Sequence, residues 1–254
     1  TGKLEYLRND AAQTRVHDVT TSEASMTLRY APGESFVNSK QRRVPVSLDA
    51  PVFTLTHAMG FKGVLGGEYN FNRTEASIWK RFWLPASWGK IDCSVTAGAE
   101  WNTVPFPLLI LPEANLSYIT QRETFCLINN MEFLNDRFAS MSISYDMNGK
   151  LFNRIPLLKN LKWREMFRVR ALWGTLTDKN NPFKSSNPDL FRFPTRDGKF
   201  TSFVMDPKVP YVEASVGIYN IFKLLHVEYV HRFTYRDNPG INKNGIRFMV
   251  LMVF

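Results

Sequence analysis

Apolar residues recur at every second position in segment after segment of this chain, a period that only an extended strand turns into a continuous face. The plainest case ends the sequence. In Gly245-Ile-Arg-Phe-Met-Val-Leu-Met-Val-Phe254 the residues Ile246, Phe248, Val250, Met252 and Phe254 share one side. In water such a strand is a hazard, because an uncovered apolar edge recruits other strands. In a transmembrane barrel the edge closes on another strand and lipid covers the apolar face. The expected fold is therefore all-β, an antiparallel transmembrane β-barrel seen over its C-terminal part. A soluble sandwich whose core strand ends the chain is the plain alternative.

The alternation recurs over residues 24–30, 53–59, 91–101, 139–147, 163–173, 212–218 and 225–236. It is weaker over 124–133, and over 65–83 it is punctuated by glycine at the start; there Gly63, Gly66 and Gly67 suggest a bend or bulge. With the final strand this makes roughly ten candidates, most near the ~9–11 residues that cross a bilayer on a tilt. Only residues 157–162 hint at a helix. Residues 219–223 read as a tight periplasmic hairpin. Residues 178–210, rich in Asn, Pro, Lys and Ser, read as a long extracellular loop, with residues 236–243 on the same side.

Composition agrees with alternate exposure to lipid. Mean hydropathy is only −0.24, and no run approaches the ~18 apolar residues of a membrane helix. Twenty Phe, nine Tyr and six Trp can furnish interfacial girdles, with Trp79, Phe82, Trp83 and Trp88 clustered near one strand end. Two cysteines, Cys93 and Cys126, exclude a disulfide framework or a multi-cysteine metal centre. The net charge of +9 raises nucleic acid as a partner, but the basic residues are dispersed along strands, so none is expected. The expected partners are outer-membrane lipid and lipopolysaccharide, other outer-membrane proteins in a complex, and the barrel-assembly machinery during insertion. The start, Thr1-Gly-Lys-Leu-Glu-Tyr6, has no secretory leader pattern. The expectation is that residues 1–254 are one barrel domain of a longer outer-membrane protein, with further strands before them.

Candidate sites are few. Arg164, Arg168 and Arg170, with Arg232 and Arg236, form a basic face directed at the lumen. Such a face either lines an anion path or is neutralised by Asp92, Glu100, Asp146, Glu213 and Glu228 in a plugged interior; neutralisation is expected. His226 and Glu228 share that face, and Ser215 on the neighbouring strand would give a barrel hydrolase a nucleophile. The expectation is instead a structural network and no catalytic, cofactor or metal residue. Glu132 and Asp136 are expected to pair with Arg137 or Arg154. Lys243, Gly245, Phe248, Val250 and Phe254 form a polar-x-Gly-x-x-aromatic-x-hydrophobic ending that resembles the assembly signal of bacterial outer-membrane barrels.

Longer stretches carry a family resemblance. Asn129-Asn-Met-Glu-Phe133-Leu-Asn-Asp136-Arg-Phe and Gly149-Lys-Leu-Phe-Asn-Arg154-Ile-Pro156-Leu-Leu-Lys159 resemble a Bacteroidota outer-membrane barrel family in which a carboxypeptidase-regulatory-like domain precedes the barrel. Similar too are Val104-Pro105-Phe-Pro107, Tyr211-Val-Glu-Ala-Ser-Val-Gly217 and Gly245-Ile-Arg-Phe. The resemblance implies an outer-membrane location and a non-enzymatic structural or accessory subunit of an envelope complex, for transport or barrel biogenesis. A barrel enzyme acting on lipid or peptide, or an anion-permeable pore, are the other readings. The C-terminal pattern is also distantly similar to the BamA and TamA superfamily. Arg196-Asp-Gly-Lys-Phe200 in the long loop departs from that superfamily's Arg-Gly-Phe tip, which puts insertase activity in doubt.

Overall fold

A computed structural model describes residues 5–250 apart from 39, 41–42, 47–48, 116, 120–123 and 197. The chain is all-β, and its main element is one nine-stranded antiparallel sheet. The strands are β1 (Glu23–Tyr30), β2 (Val52–Gly60), β3 (Phe71–Trp83), β4 (Lys90–Glu100), β5 (Arg137–Asp146), β6 (Arg164–Thr175), β7 (Tyr211–Ile221), β8 (Leu225–Arg232) and β9 (Asn244–Val250). Each pairs with its neighbour in sequence, an up-and-down meander with no crossover.

Most of the expected strands are present, and the differences have local causes. Residues 61–70 are a turn, not the start of β3: the Gly67 N–H donates to the Val64 carbonyl and the Gly63 N–H to Gly67. Gly63 and Gly66 there take left-handed φ of +83° and +85°, which ends a strand rather than bulging it. Residues 124–133 form no strand; their apolar alternation serves core packing in a long connection. β8 stops at Arg232. The helical hint is a single short helix, Pro156–Leu161, closed by Lys162 in the left-handed region.

The register decides which residues share a face. Val95 pairs with Met141, Ile143 with Val169, Val169 with Ala214, Val216 with Tyr229 and Val227 with Phe248. One side of the sheet is therefore apolar from edge to edge, and it is the exposed side: Leu28, Leu55, Ile78, Val95, Phe167, Val169, Val216, Tyr229 and Phe248 are all more than a third accessible. The opposite side carries the charges, and Arg168, Arg170, Glu213, Glu228 and Arg232 are buried on it. A sheet in water has the reverse arrangement.

Two long connections cover the charged side. Residues 101–136, after β4, and 176–210, after β6, place Val104, Phe106, Leu134 and Phe191 in one apolar cluster, with Phe71 of β3. Phe125, Ile128, Phe133 and Met205 form a second cluster, on Leu172 of β6 and Tyr211 of β7. Both connections leave the same end of the sheet, the loop end. At the other end, the turn end, β3–β4 and β7–β8 join through residues 84–89 and 222–224. There the sheet curls round a cavity of about 520 Å³ to which every strand from β2 to β9 contributes, Val52 and Met249 included. The curl does not close: β1 and β9 are edge strands, and no described residue of one pairs with the other. Part of the β9 edge is taken from within, where the Phe248 N–H donates to the Tyr118 carbonyl at 2.7 Å. Residues 251–254, including Phe254, lie outside the described residues.

Gly89 fastens the β3–β4 turn against β5. Its φ is +89°, and an added Cβ would run into the Asp146 carbonyl. Gly89→Ala is expected to cost at least about 1–3 kcal/mol through strain alone, seen as a lowered thermal unfolding midpoint by circular dichroism.

Candidate functional site

The candidate site is the charged layer between the covered face of β6–β9 and residues 125–132 of the long connection. Strand period places Arg168 and Arg170 on one side of β6, Glu213 and Ser215 on the same side of β7, and His226, Glu228 and Arg232 on that side of β8. Opposite charges then meet, Arg170 and Glu213 as direct cross-strand partners, Arg168 and Glu228 by reaching across β7. Arg170 reaches Glu213 at 2.9 Å, and Arg168 meets both oxygens of Glu228 at 3.2 and 3.1 Å.

The connection completes the layer. Glu213 accepts the backbone N–H groups of Cys126 at 2.9 Å and Leu127 at 3.1 Å, and the Tyr211 hydroxyl at 2.9 Å. Arg247 of β9 donates to the Cys126 carbonyl. Arg232 is fully engaged. Its Nε donates to the Thr234 carbonyl, one terminal nitrogen to the Leu127 carbonyl and Glu132, and the other to Glu132 at 2.6 Å and the Tyr235 carbonyl. That uses all five donors of a guanidinium. Its Cζ also lies 4.8 Å from the Tyr211 ring centroid, a cation–π contact.

Several expected placements change. Glu132 pairs with Arg232, not with Arg137 or Arg154. Asp136 accepts from Thr177 and from Asn180, at 3.0 Å, and so ties the two connections together. Arg164 has the side of its strand that was expected, but it sits at the turn end, exposed, over the Tyr219 ring. Arg236 lies in the turn after β8 and is exposed, because the strand stops four residues earlier. Trp79 lines the cavity, while Trp88 is exposed in the β3–β4 turn. Of the five acids expected to neutralise the basic face, Glu213 and Glu228 meet it, at Arg170 and Arg168; the other three pair with cations outside it. Besides the two pairs above, Asp92 meets Arg81 at 2.6 Å, Glu100 meets Arg73 at 3.7 Å and Asp146 meets Lys90 at 3.8 Å.

The hydrolase alternative has its parts in one place but aimed elsewhere. The Ser215 hydroxyl donates to Glu228 at 3.3 Å, and His226 Nε2 stands 3.5 Å from the same carboxylate. Among the described residues no hydrogen bond joins serine to histidine, and no group of His, Cys, Asp and Glu has the makings of a metal site.

The ending expected to act in assembly occupies β9 and its approach. Phe248 and Val250 are exposed on the apolar side, and the Lys243 carbonyl accepts the Arg232 N–H. Gly245 faces the layer, where a Cβ would come within 3.0 Å of Leu127. Glycine at this point thus lets the connection approach β9.

Residues 5–183 match the C-terminal domain of a family of unknown function, DUF5686. The chain belongs to this family. No curated protein matches it. The DUF5686 match spans β1–β6 and the whole of the 101–136 connection, so it holds residues 125–132 and the three β6 arginines; Glu213, Glu228 and Arg232 come from the strands beyond it.

Removing Arg232 strands a buried carboxylate. Arg232→Ala is expected to cost about 3–5 kcal/mol in denaturant unfolding, and Arg232→Lys recovers little, since an ammonium lacks the planar fork. Arg8→Ala, which breaks the exposed 3.4 Å pair with Asp189, serves as a control at about 0–1 kcal/mol.

Proposed function

We propose that this domain is an integral outer-membrane β-barrel wall, plugged by its own connections. Its role is structural or accessory within a larger envelope complex, in transport or barrel biogenesis. The observation that carries the reading is the inverted sheet, apolar on its exposed side and charged on its covered side. In water an apolar patch running across nine strands is far larger than a monomer tolerates. In hydrocarbon the same face is solvated by lipid, and the polar face has to be turned inward. Strand lengths support this, with β3–β7 spanning 9 or more residues each, near the ~9–11 that a tilted crossing needs. The likeness to Bacteroidota outer-membrane barrels points the same way.

The plug favours a wall over a pore. Arg168, Arg170 and Arg232 are each paired with a carboxylate, and Arg170 and Arg232 are also held by residues 126–132, which argues against a continuous anion path. Ser215 and His226 both turn to Glu228 rather than to one another, which favours a structural role over hydrolysis. On this reading residues 178–210 lie outside the cell and the 222–224 turn lies in the periplasm. Lipopolysaccharide and neighbouring outer-membrane proteins are then the partners of the apolar face and its rim. The open edges of β1 and β9 call for further strands or for each other, since unpaired backbone groups in hydrocarbon cost several kcal/mol each.

The test is depth-dependent. Val169→Arg, in the middle of β6 on the apolar side, is expected to lower folding stability in phosphatidylcholine vesicles by about 2–4 kcal/mol. Ser142→Ala on the covered side should change it little. A Val169→Arg protein as stable as the parent, or a parent that stays folded and monomeric without detergent, would sink the proposal.

A further inference from the structure

The β5–β6 connection carries a second signal that the sheet does not explain. Residues 147–164 contain Lys150, Arg154, Lys159, Lys162 and Arg164 and no Asp or Glu. The same stretch displays Leu151, Ile155, Leu157 and Leu161, with Leu157 80% accessible. Its position is set by Glu165, which belongs to the apolar side of β6 yet is buried. Its carboxylate accepts the Leu151 N–H at 2.6 Å, so the connection folds back over the apolar side at the turn end. The far end of the segment is held as well, by Asn220 donating to the Lys162 carbonyl at 2.7 Å. The cations are thus presented where the apolar face stops.

A recess completes the feature. Ser87, Asn148, Lys150, Asn153 and Arg154 line a hollow of about 360 Å³ between the β3–β4 turn and this connection. Lys150 Nζ is fixed at its wall by a 2.9 Å bond to the Ala86 carbonyl and lies 5.0 Å from the Trp88 ring centroid. The carboxylate of Asp146, at the end of β5 just before this connection, is already engaged by the Tyr219 hydroxyl, the Asn148 N–H and Lys90. Positive charge, amide and hydroxyl donors, and leucines beside them match an anionic headgroup with its acyl chains, not a free ion.

We infer that this recess and its basic rim bind the phosphate headgroup of an anionic glycerophospholipid, in the leaflet at the turn end. The inference rests on the membrane reading above and adds the lipid class and the leaflet. The protein purified in mild detergent would be offered an equimolar mixture of phosphatidylglycerol, phosphatidylethanolamine and lipid A, and the retained lipids counted by native mass spectrometry. Phosphatidylglycerol should be retained at least about fivefold over phosphatidylethanolamine, with about a fivefold loss for each cation removed. Arg154→Ala and Lys159→Ala, both exposed side chains, should each erode the preference without touching the fold; Lys208→Ala at the loop end should not. Equal retention of the two phospholipids, preference for lipid A, or displacement of phosphatidylglycerol by millimolar inorganic phosphate would overturn the inference. Flotation separates the two levels. A parent that floats with no vesicle defeats the membrane reading, whereas one that floats yet shows no phosphatidylglycerol preference defeats this inference alone.

Discussion

The carboxylate of Glu213 holds together two parts of the molecule that could not be buried separately. It accepts Arg170 from β6, Tyr211 from its own strand, and the backbone N–H groups of Cys126 and Leu127. A carboxylate taken out of water demands several donors. An irregular segment taken out of water likewise leaves N–H and C=O groups without a ladder partner. Each requirement meets the other here. Residues 125–128 can lie deep in the fold because charged side chains satisfy their backbone, and the charges can lie there because that backbone satisfies them. Arg232 and Arg247 repeat the arrangement on the acceptor side, taking the carbonyls of Leu127 and Cys126.

From this clamp the interior divides into levels along the strands. At the loop end lie the apolar clusters of the two connections, tied to one another by Asp136. Beneath them is the ionic layer on β6–β9. Towards the turn end the side chains shorten to Ser94, Ser142 and Ser144, and the cavity opens. The inside of the sheet is therefore closed at one end and hollow at the other. Around the hollow the polar groups pair from strand to strand, as Arg81 does with Asp92, whereas in the layer above it a connection supplies partners as well.

The strands were legible because a period of two is local. Residues 139–147, for instance, show it without reference to any neighbour, and β5 forms there with the expected side outward. Residues 124–133 also alternate, yet they form no strand, because the groups that take up their backbone come from β7, β8 and β9, roughly 80–120 residues further along. Glu132 was visible as an acid in search of a base, but the near candidates Arg137 and Arg154 lost to Arg232, which the fold brings to 2.6 Å. Arg247, which is not part of the expected basic face, does carry a local signal. It is the single charge in its strand and stands opposite in parity to Ile246 and Phe248.

By itself the sequence determined that the chain is all-β, the order of most strands, and which residues go to which side, since these follow from the alternation of side chains along an extended backbone. Sequential meander pairing follows almost as directly. What only the tertiary structure decided is how the charged side is used: which acid meets which base, that residues 124–133 belong to a covering connection rather than a strand, and that the covered side is packed at one end and hollow at the other. Those outcomes depend on distances between residues far apart in the chain. A buried charge accepts whichever partner the fold brings within 3 Å, and no local pattern specifies that.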